Sequence, residues 1–276
     1  MTQAASEPNL PTLATMTYAV DGGIARVTLN RPERLNAITM ETMADFEALL
    51  DRVEGRTDIA ALVFRGTGKG FCVGLDLGLL NAAFADIFHF ERILKRFNAI
   101  LHRIERLPFP TVAAVNGYTR AGGFELCLVC DFIVIADEAK IGDAHTSAAV
   151  MPGGGSTQRL PRRVGEPRAK EIIWSARWLS AAEAVAYGLA IRSAPLKDLD
   201  AAVDTLLASF TDKPTACLAA VKAAMLAGRG LDIRHAVDVE IAQFISYTGS
   251  QPYAREGYQA FLEKRPPSWQ ARAPTA

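Results

Sequence analysis

The sequence predicts an α/β fold built from repeated strand–strand–helix units and closed by a helical C-terminal subdomain. The first observation is a hairpin signal, Asp21-Gly22-Gly23, between two β-rich runs, Thr15–Val20 and Ile24–Asn30, with a helical pattern after it. The second is that short strands, glycine turns and apolar helices keep alternating to about residue 198. The third is that nothing from Leu199 onward reads as a strand. Alternating units followed by helices alone is the pattern of an α/β core with a helical appendage. The expected organisation is a flexible tail over residues 1–14, a core over 15–198 that carries the active site, and a helical region over 199–276.

Each element follows from local chemistry. Arg31-Pro32 ends the second strand, and Thr39 can cap a helix that runs to about Glu54, with Met43, Phe46, Leu50 and Val53 on one face. Ala60–Arg65 reads as a short buried strand, followed by the glycine-rich loop 66–70 and the extended piece FCVGLDL at 71–77, turning at Gly74. From Gly78 to about Arg106 the pattern is helical, with Asn81–Phe88 loosely specified and suited to a pocket wall. Past Pro108 and Pro110 comes a strand at Thr111–Val115, then glycine turns and an apolar helix at Phe124–Cys130. Strands are expected at Phe132–Ala136, Ala139–Ile141 and Leu189–Ser193, with a loop at Gly142–Gly155 and helices at Ser156–Arg163, Pro167–Ser175 and Ala181–Tyr187. The tail reads as four helices, Leu199–Phe210, Thr215–Ala227, Ile233–Ile245 and Tyr253–Lys264. Their wide apolar faces suit an oligomer interface.

Composition narrows the function. Half of the 276 residues are apolar and 22% charged, as in an ordinary globular protein, and Lys+Arg balances Asp+Glu at 30 each. That balance gives no reason to expect nucleic acid or a membrane surface as partner. No apolar run approaches the roughly 20 residues of a membrane span. The first residues lack the basic and apolar regions of a secretion signal. Of four cysteines, Cys127 and Cys130 form a C-x-x-C inside an apolar helix with no second pair or His cluster beside it. Buried thiols in a reduced, cytoplasmic compartment are therefore expected, with no metal site.

The stretch that carries chemistry runs from Thr111 to Asp131, TVAAVNGYTRAGGFELCLVCD. A strand, a glycine turn and a helix start leave backbone N–H groups unpaired and aimed in front of the helix. Glycine lets a ligand come close to them. Glu125 lies in the first helical turn beside those donors. Taken alone, the stretch reads either as half an oxyanion hole with an acid/base residue attached, or as a tight turn feeding a core helix.

Five segments together resemble the crotonase (enoyl-CoA hydratase/isomerase) superfamily: LNRPERLNAI at 29–38, FCVGLDL at 71–77, PTVAAVNGYTRAGGFELCLVCDF at 110–132, MPGGGSTQRLPRRVG at 151–165 and FLEKR at 261–265. The resemblance spans about Thr17 to Trp269. It implies a crotonase-type spiral of ββα units, C-terminal helices that build homotrimers or dimers of trimers, and an acyl-CoA thioester substrate with no separate cofactor. It places the two oxyanion-hole amides on Leu75 and Gly122, where charge develops on the thioester oxygen. Coenzyme A contacts are implied at Arg34, Leu35 and Ala37, and at Phe261 and Lys264, the last two often reached across subunits.

Hydratases of this superfamily use two glutamates, and this chain departs from that pattern. The first is Glu125, and the second position, counted back from Pro152, falls on His145. Histidine holds and releases a proton near neutrality, so Glu125 and His145 form the expected acid/base pair of a hydro-lyase. His89, His102 and His235 sit in helical patterns suited to packing or surface placement. A histidine at this loop position also resembles the β-diketone hydrolases of the superfamily, where an acid in the following glycine loop assists it. Here that loop, Pro152-Gly153-Gly154-Gly155, contains no acid, which weakens the analogy. Isomerase or decarboxylase chemistry shares the same enolate hole. A non-catalytic scaffold would not need Glu125 and both glycines.

Overall fold

In a computed structural model that describes residues 12–269, an opening hairpin lies wholly in the larger of two sheets and each of the next three units gives one strand to each sheet. β1 (Met16–Asp21) and β2 (Ile24–Leu29) form the predicted hairpin, and α1 (Met40–Val53) follows, capped by Thr39, whose hydroxyl accepts from the Thr42 N–H. β3 (Ala61–Gly66) and β4 (Gly70–Cys72) lead to α2 (Leu77–Phe84) and α3 (Ile87–Arg106). β5 (Thr111–Val115) and β6 (Tyr118–Arg120) lead to α4 (Gly122–Val129). β7 (Phe132–Ala136) and β8 (Lys140–Gly142) lead to α5 (Ser156–Val164) and α6 (Glu166–Ser175). β9 (Leu179–Ser180), α7 (Ala181–Ala186) and β10 (Arg192–Ala194) close the core. The larger sheet runs β1-β2-β3-β5-β7-β10 and is parallel beyond the hairpin; the smaller runs β4-β6-β8-β9.

This order winds the ββα units around one apolar core, in which Phe46, Phe64, Phe71, Phe97, Phe109 and Phe124 are fully buried. Two buried asparagines fix the turns between the sheets. Asn36 donates to the Thr67 and Gly70 carbonyls at 3.0 and 2.8 Å, and Asn116 accepts from the Gly66 N–H at 2.9 Å. They hold the loop that aims β4, and with it the segment after β4, toward α4.

Several predicted boundaries move. The long helix expected over 78–106 is two helices, because the Asp86 carboxylate accepts from the Phe88 and His89 N–H groups and starts a new one. The strand placed at Leu189–Ser193 is Arg192–Ala194, since the N–H groups of Leu189 and Ala190 both donate to the Ala184 carbonyl and finish α7. β6 and β9 are too short to show as periodicity. α8 (Leu199–Ala208), α9 (Thr215–Ala227), α10 (Ile233–Ser250) and α11 (Tyr253–Leu262) form the C-terminal part. α10 runs past Ile245 to Ser250, and Pro252 is the first stop beyond it. Neither α9 nor α10 has a buried residue. Of the tail expected over 1–14, residues 1–11 lie outside the described residues.

Candidate active site

One cavity of about 870 Å³ gathers the segments that the sequence singled out: Leu75, Gly122, Glu125 and His145 all line it. Leu75 and Gly122 come together because their loops touch. A Cβ on Gly74 would lie 2.7 Å from the Gly122 nitrogen, and Gly74 holds φ at +94°, so only glycine fits there. A parallel bridge, Ile38 N–H to the Gly74 carbonyl at 2.8 Å and Asp76 N–H to the Ile38 carbonyl at 2.9 Å, pins the Leu75 segment on its other side. Among the described residues neither the Leu75 nor the Gly122 N–H donates to a loop or turn acceptor. Gly122 also opens α4, whose N-terminal dipole favours negative charge in front of it.

Glu125 stands in the first turn of α4 and is 2% exposed. One carboxylate oxygen accepts from the Gly154 N–H at 2.6 Å and, more weakly, from Ser156 at the start of α5 at 3.4 Å. A Cβ on Gly154 would fall 2.2 Å from the other oxygen, so that glycine keeps the carboxylate in place. Asn98 supports the same loop by donating to the Gly153 carbonyl at 2.8 Å. Burial raises the Glu125 pKa above the usual carboxylate range, while His145 and the two N–H donors act against that rise.

His145 begins a single 3-10 turn, His145–Ala148, set between two alanines in left-handed backbone, Ala144 at φ +80° and Ala149 at φ +54°. Ala121, beside Gly122, holds φ at +47°. Such conformations cost an alanine on the order of 1–2 kcal/mol each, and strain of this kind gathers at functional sites. The imidazole Nδ1 lies 2.8 Å from Oδ1 of Asp143, a carboxylate with no exposed surface. The Asp143 backbone carbonyl accepts from Ala121 N–H at 2.7 Å, so one residue ties the His145 loop to the Gly122 loop. Nδ1 is thus engaged by Asp143, while the His145 side chain lines the cavity. Burial lowers the His145 pKa, but the hydrogen bond and charge of Asp143 and the charge of Glu125 outweigh it and leave it above the ordinary histidine value.

Asp143 is the residue that the sequence reading misses. The glycine loop after His145 holds no acid, and its partner stands two residues before it. The available signal was the D-x-H spacing: Asp143 Oδ1 also accepts the His145 N–H at 3.1 Å, a local turn that short acidic side chains favour.

The other sequence candidates divide. Arg34 is exposed, Leu35 half-buried and Ala37 buried, all directly before Ile38 and its bridge to Leu75. Phe261 and Lys264 are exposed on the last helix and just after it, and neither lines this cavity. His89, His102 and His235 stand on helices outside the lining. Cys72, Cys127 and Cys130 are buried free thiols, and burial pushes Cys72 and Cys130 up to about 12, the reverse of a reactive thiolate.

Comparison with known proteins gives consistent results. The sequence model described as "Enoyl-CoA hydratase/isomerase" matches residues 19–272. A probable enoyl-CoA hydratase of Rhodobacter capsulatus is 35% identical over 259 residues, covering 94% of this chain and 98% of that protein. A crotonyl-CoA hydratase of Syntrophomonas wolfei is 31% identical over 244 residues, 88% and 92% of the two chains. Among solved structures, an enoyl-CoA hydratase from Bacillus anthracis superposes with a TM-score of 0.86 at 29% identity, covering 92% of this chain and 98% of that one.

Proposed function

The chain belongs to the enoyl-CoA hydratase/isomerase family, and on that premise we propose that it adds water across the α,β double bond of an enoyl-CoA thioester. One observation carries this reading: a buried glutamate and an aspartate-held histidine share one cavity with two adjacent backbone segments suited to an oxyanion.

In the proposed reaction the thioester oxygen sits on the N–H groups of Leu75 and Gly122. A water molecule attacks C3, and its proton passes to Glu125. The electron pair displaced from the double bond moves onto the thioester oxygen as an enolate. Each preorganised donor stabilises that charge by about 3–4 kcal/mol in a dry site. The enolate collapses and C2 takes a proton from Nε2 of His145, giving the 3-hydroxyacyl thioester. Glu125 then returns a proton to His145 through solvent. Asp143 never meets substrate; it holds the imidazole in one orientation and favours the protonated form that C2 requires.

The coenzyme A part is assigned to the Arg34–Ala37 side of the Leu75 segment, with Phe261 and Lys264 supplied by a neighbouring subunit. A trimer or dimer of trimers would also cover Ile241, Phe244 and Ile245 on α10, which are 55%, 63% and 63% exposed in the single chain. Sedimentation of the full chain should show three or six copies; a stable monomer would contradict this. A cytoplasmic setting fits the buried free thiols.

The Asp143–His145 pair would equally assist a carbon–carbon hydrolase, but that chemistry gives Glu125 no task. Hydration is tested by following the loss of conjugation in crotonyl- and longer 2-enoyl-CoAs. A 3-hydroxyacyl-CoA product is expected. A shifted double bond, a lost carboxylate or a cleaved diketone would move the chain to one of the other chemistries.

A further inference from the structure

We propose that this site takes enoyl-CoAs whose acyl group is apolar and of medium length, on the order of eight to ten carbons, and rejects acyl groups that end in a carboxylate. The inference rests on the reading of the cavity as an enoyl-CoA site and names its substrate class.

The cavity runs from the Leu75 and Gly122 amides to a wall made by α2 and α3. The two helices each turn one face to it: Leu77, Leu80 and Phe84 on α2, and Ile87, Phe88 and Leu94 on α3. The α2 residues follow helical periodicity as one apolar row, whereas on α3 Glu91 stands between Ile87/Phe88 and Leu94. Arg34, Leu35 and Ala37 come just before Ile38, whose bridge holds the other side of the Leu75 segment, and they are outside the lining. The thioester position therefore separates a coenzyme A side from an acyl side. An eight-residue α2 is about 12 Å long, which is the reach of a chain of about eight to ten carbons laid along it. A four-carbon acyl group would leave most of this wall uncovered.

The charges of the lining argue against a distal carboxylate. Beyond Glu125 and His145 the ionisable side chains on the wall are Glu91 and Lys95, and they pair with each other at 2.6 Å. Asn98 is the remaining polar side chain of that face, and it is committed to the Leu94 and Gly153 carbonyls. Among the described lining residues no unpaired cation meets an incoming acid. A carboxylate laid along this wall would press on apolar side chains and find the nearby cation, Lys95, already engaged by Glu91. Four exposed apolar side chains, Leu77 (81%), Phe84 (59%), Ile87 (69%) and Phe88 (70%), find their use in covering a chain.

The test is a chain-length series on the full-length protein, with crotonyl-, hexenoyl-, octenoyl- and decenoyl-CoA and with glutaconyl-CoA as the carboxylated member. Each methylene fully buried in an apolar site is worth roughly fourfold in binding. With only two of the six extra methylenes fully buried, kcat/KM should rise more than about tenfold from crotonyl- to decenoyl-CoA. Glutaconyl-CoA should fall below crotonyl-CoA. The double variant Leu80→Asp/Phe84→Asp should flatten the rise while circular dichroism stays native. A flat or falling series with hydration intact would overturn the inference and leave the functional reading standing. The reverse case is separable by calorimetry with saturated acyl-CoAs: if no enoyl-CoA is hydrated but decanoyl-CoA binds at least about tenfold tighter than butanoyl-CoA, the acyl site stands and the hydratase reading fails. Equal affinities there would overturn it.

Discussion

Glu125→Gln is expected to lower kcat for hydration by about 10²–10⁴-fold while raising the melting temperature. The two effects have one cause. The carboxylate is buried, and burial holds its pKa above the ordinary glutamate value. Between the unfolded and folded pKa values the native state therefore binds more protons than the unfolded state, and stability falls as pH rises through that window. At neutral pH the ionised carboxylate is a net cost that Gln removes. The Gln oxygen can still accept from the Gly154 N–H, as Glu125 Oε1 does at 2.6 Å. Thermal melts of both proteins check the sign: the gap should be widest near neutrality and close as pH drops below the usual carboxylate range. A variant that is both inactive and less stable would mean that Glu125 serves the fold.

Gly74→Ala is expected to cost about 10²–10³-fold in kcat, as the loss of one oxyanion donor does. The new Cβ would meet the Gly122 nitrogen at 2.7 Å and the Ala121 Cβ at 2.9 Å, in a backbone with φ at +94°. Either Leu75 or Gly122 must shift, and the two N–H groups stop converging. KM should change much less than kcat, because the thioester oxygen carries its charge only in the transition state. Steady-state kinetics on one enoyl-CoA separates the two constants. Unchanged kcat would mean that these amides do not hold the enolate.

Much of this site is legible in the chain because its parts are backbone devices with a residue signature. The pair Gly122-Gly123, the turn at Gly74 and Glu125 three residues after Gly122 can be placed by counting, and the structure brings Gly122 and Glu125 to one cavity with Gly74 packed against Gly122. His145 is found by counting as well. Asp143 is not, because its role depends on the path of a loop that has no periodicity. Its carboxylate turns back on His145 while its carbonyl is held by the Ala121 N–H, a contact across 22 positions. The strained alanines at 121, 144 and 149 are equally invisible, since alanine carries no signal of a left-handed backbone. The break between α2 and α3 has a signature in Asp86, but an apolar run on either side masks it. Phe261 and Lys264 stay away from the cavity of their own chain, and a sequence gives no hint of which copy a helix end serves.

In the proposed reaction His145 is the proton donor to C2, under the control of Asp143. The most direct test is the pH dependence of kcat/KM for enoyl-CoA hydration by the wild type and by Asp143→Asn. The wild type should show a bell, rising as Glu125 loses its proton above the usual carboxylate range and falling as His145 loses its own above the ordinary histidine value. Removing the Asp143 charge should move the falling limb to lower pH and leave the rising limb nearly in place. A falling limb that stays where it was in Asp143→Asn, or that persists unchanged in His145→Gln, would contradict the assignment.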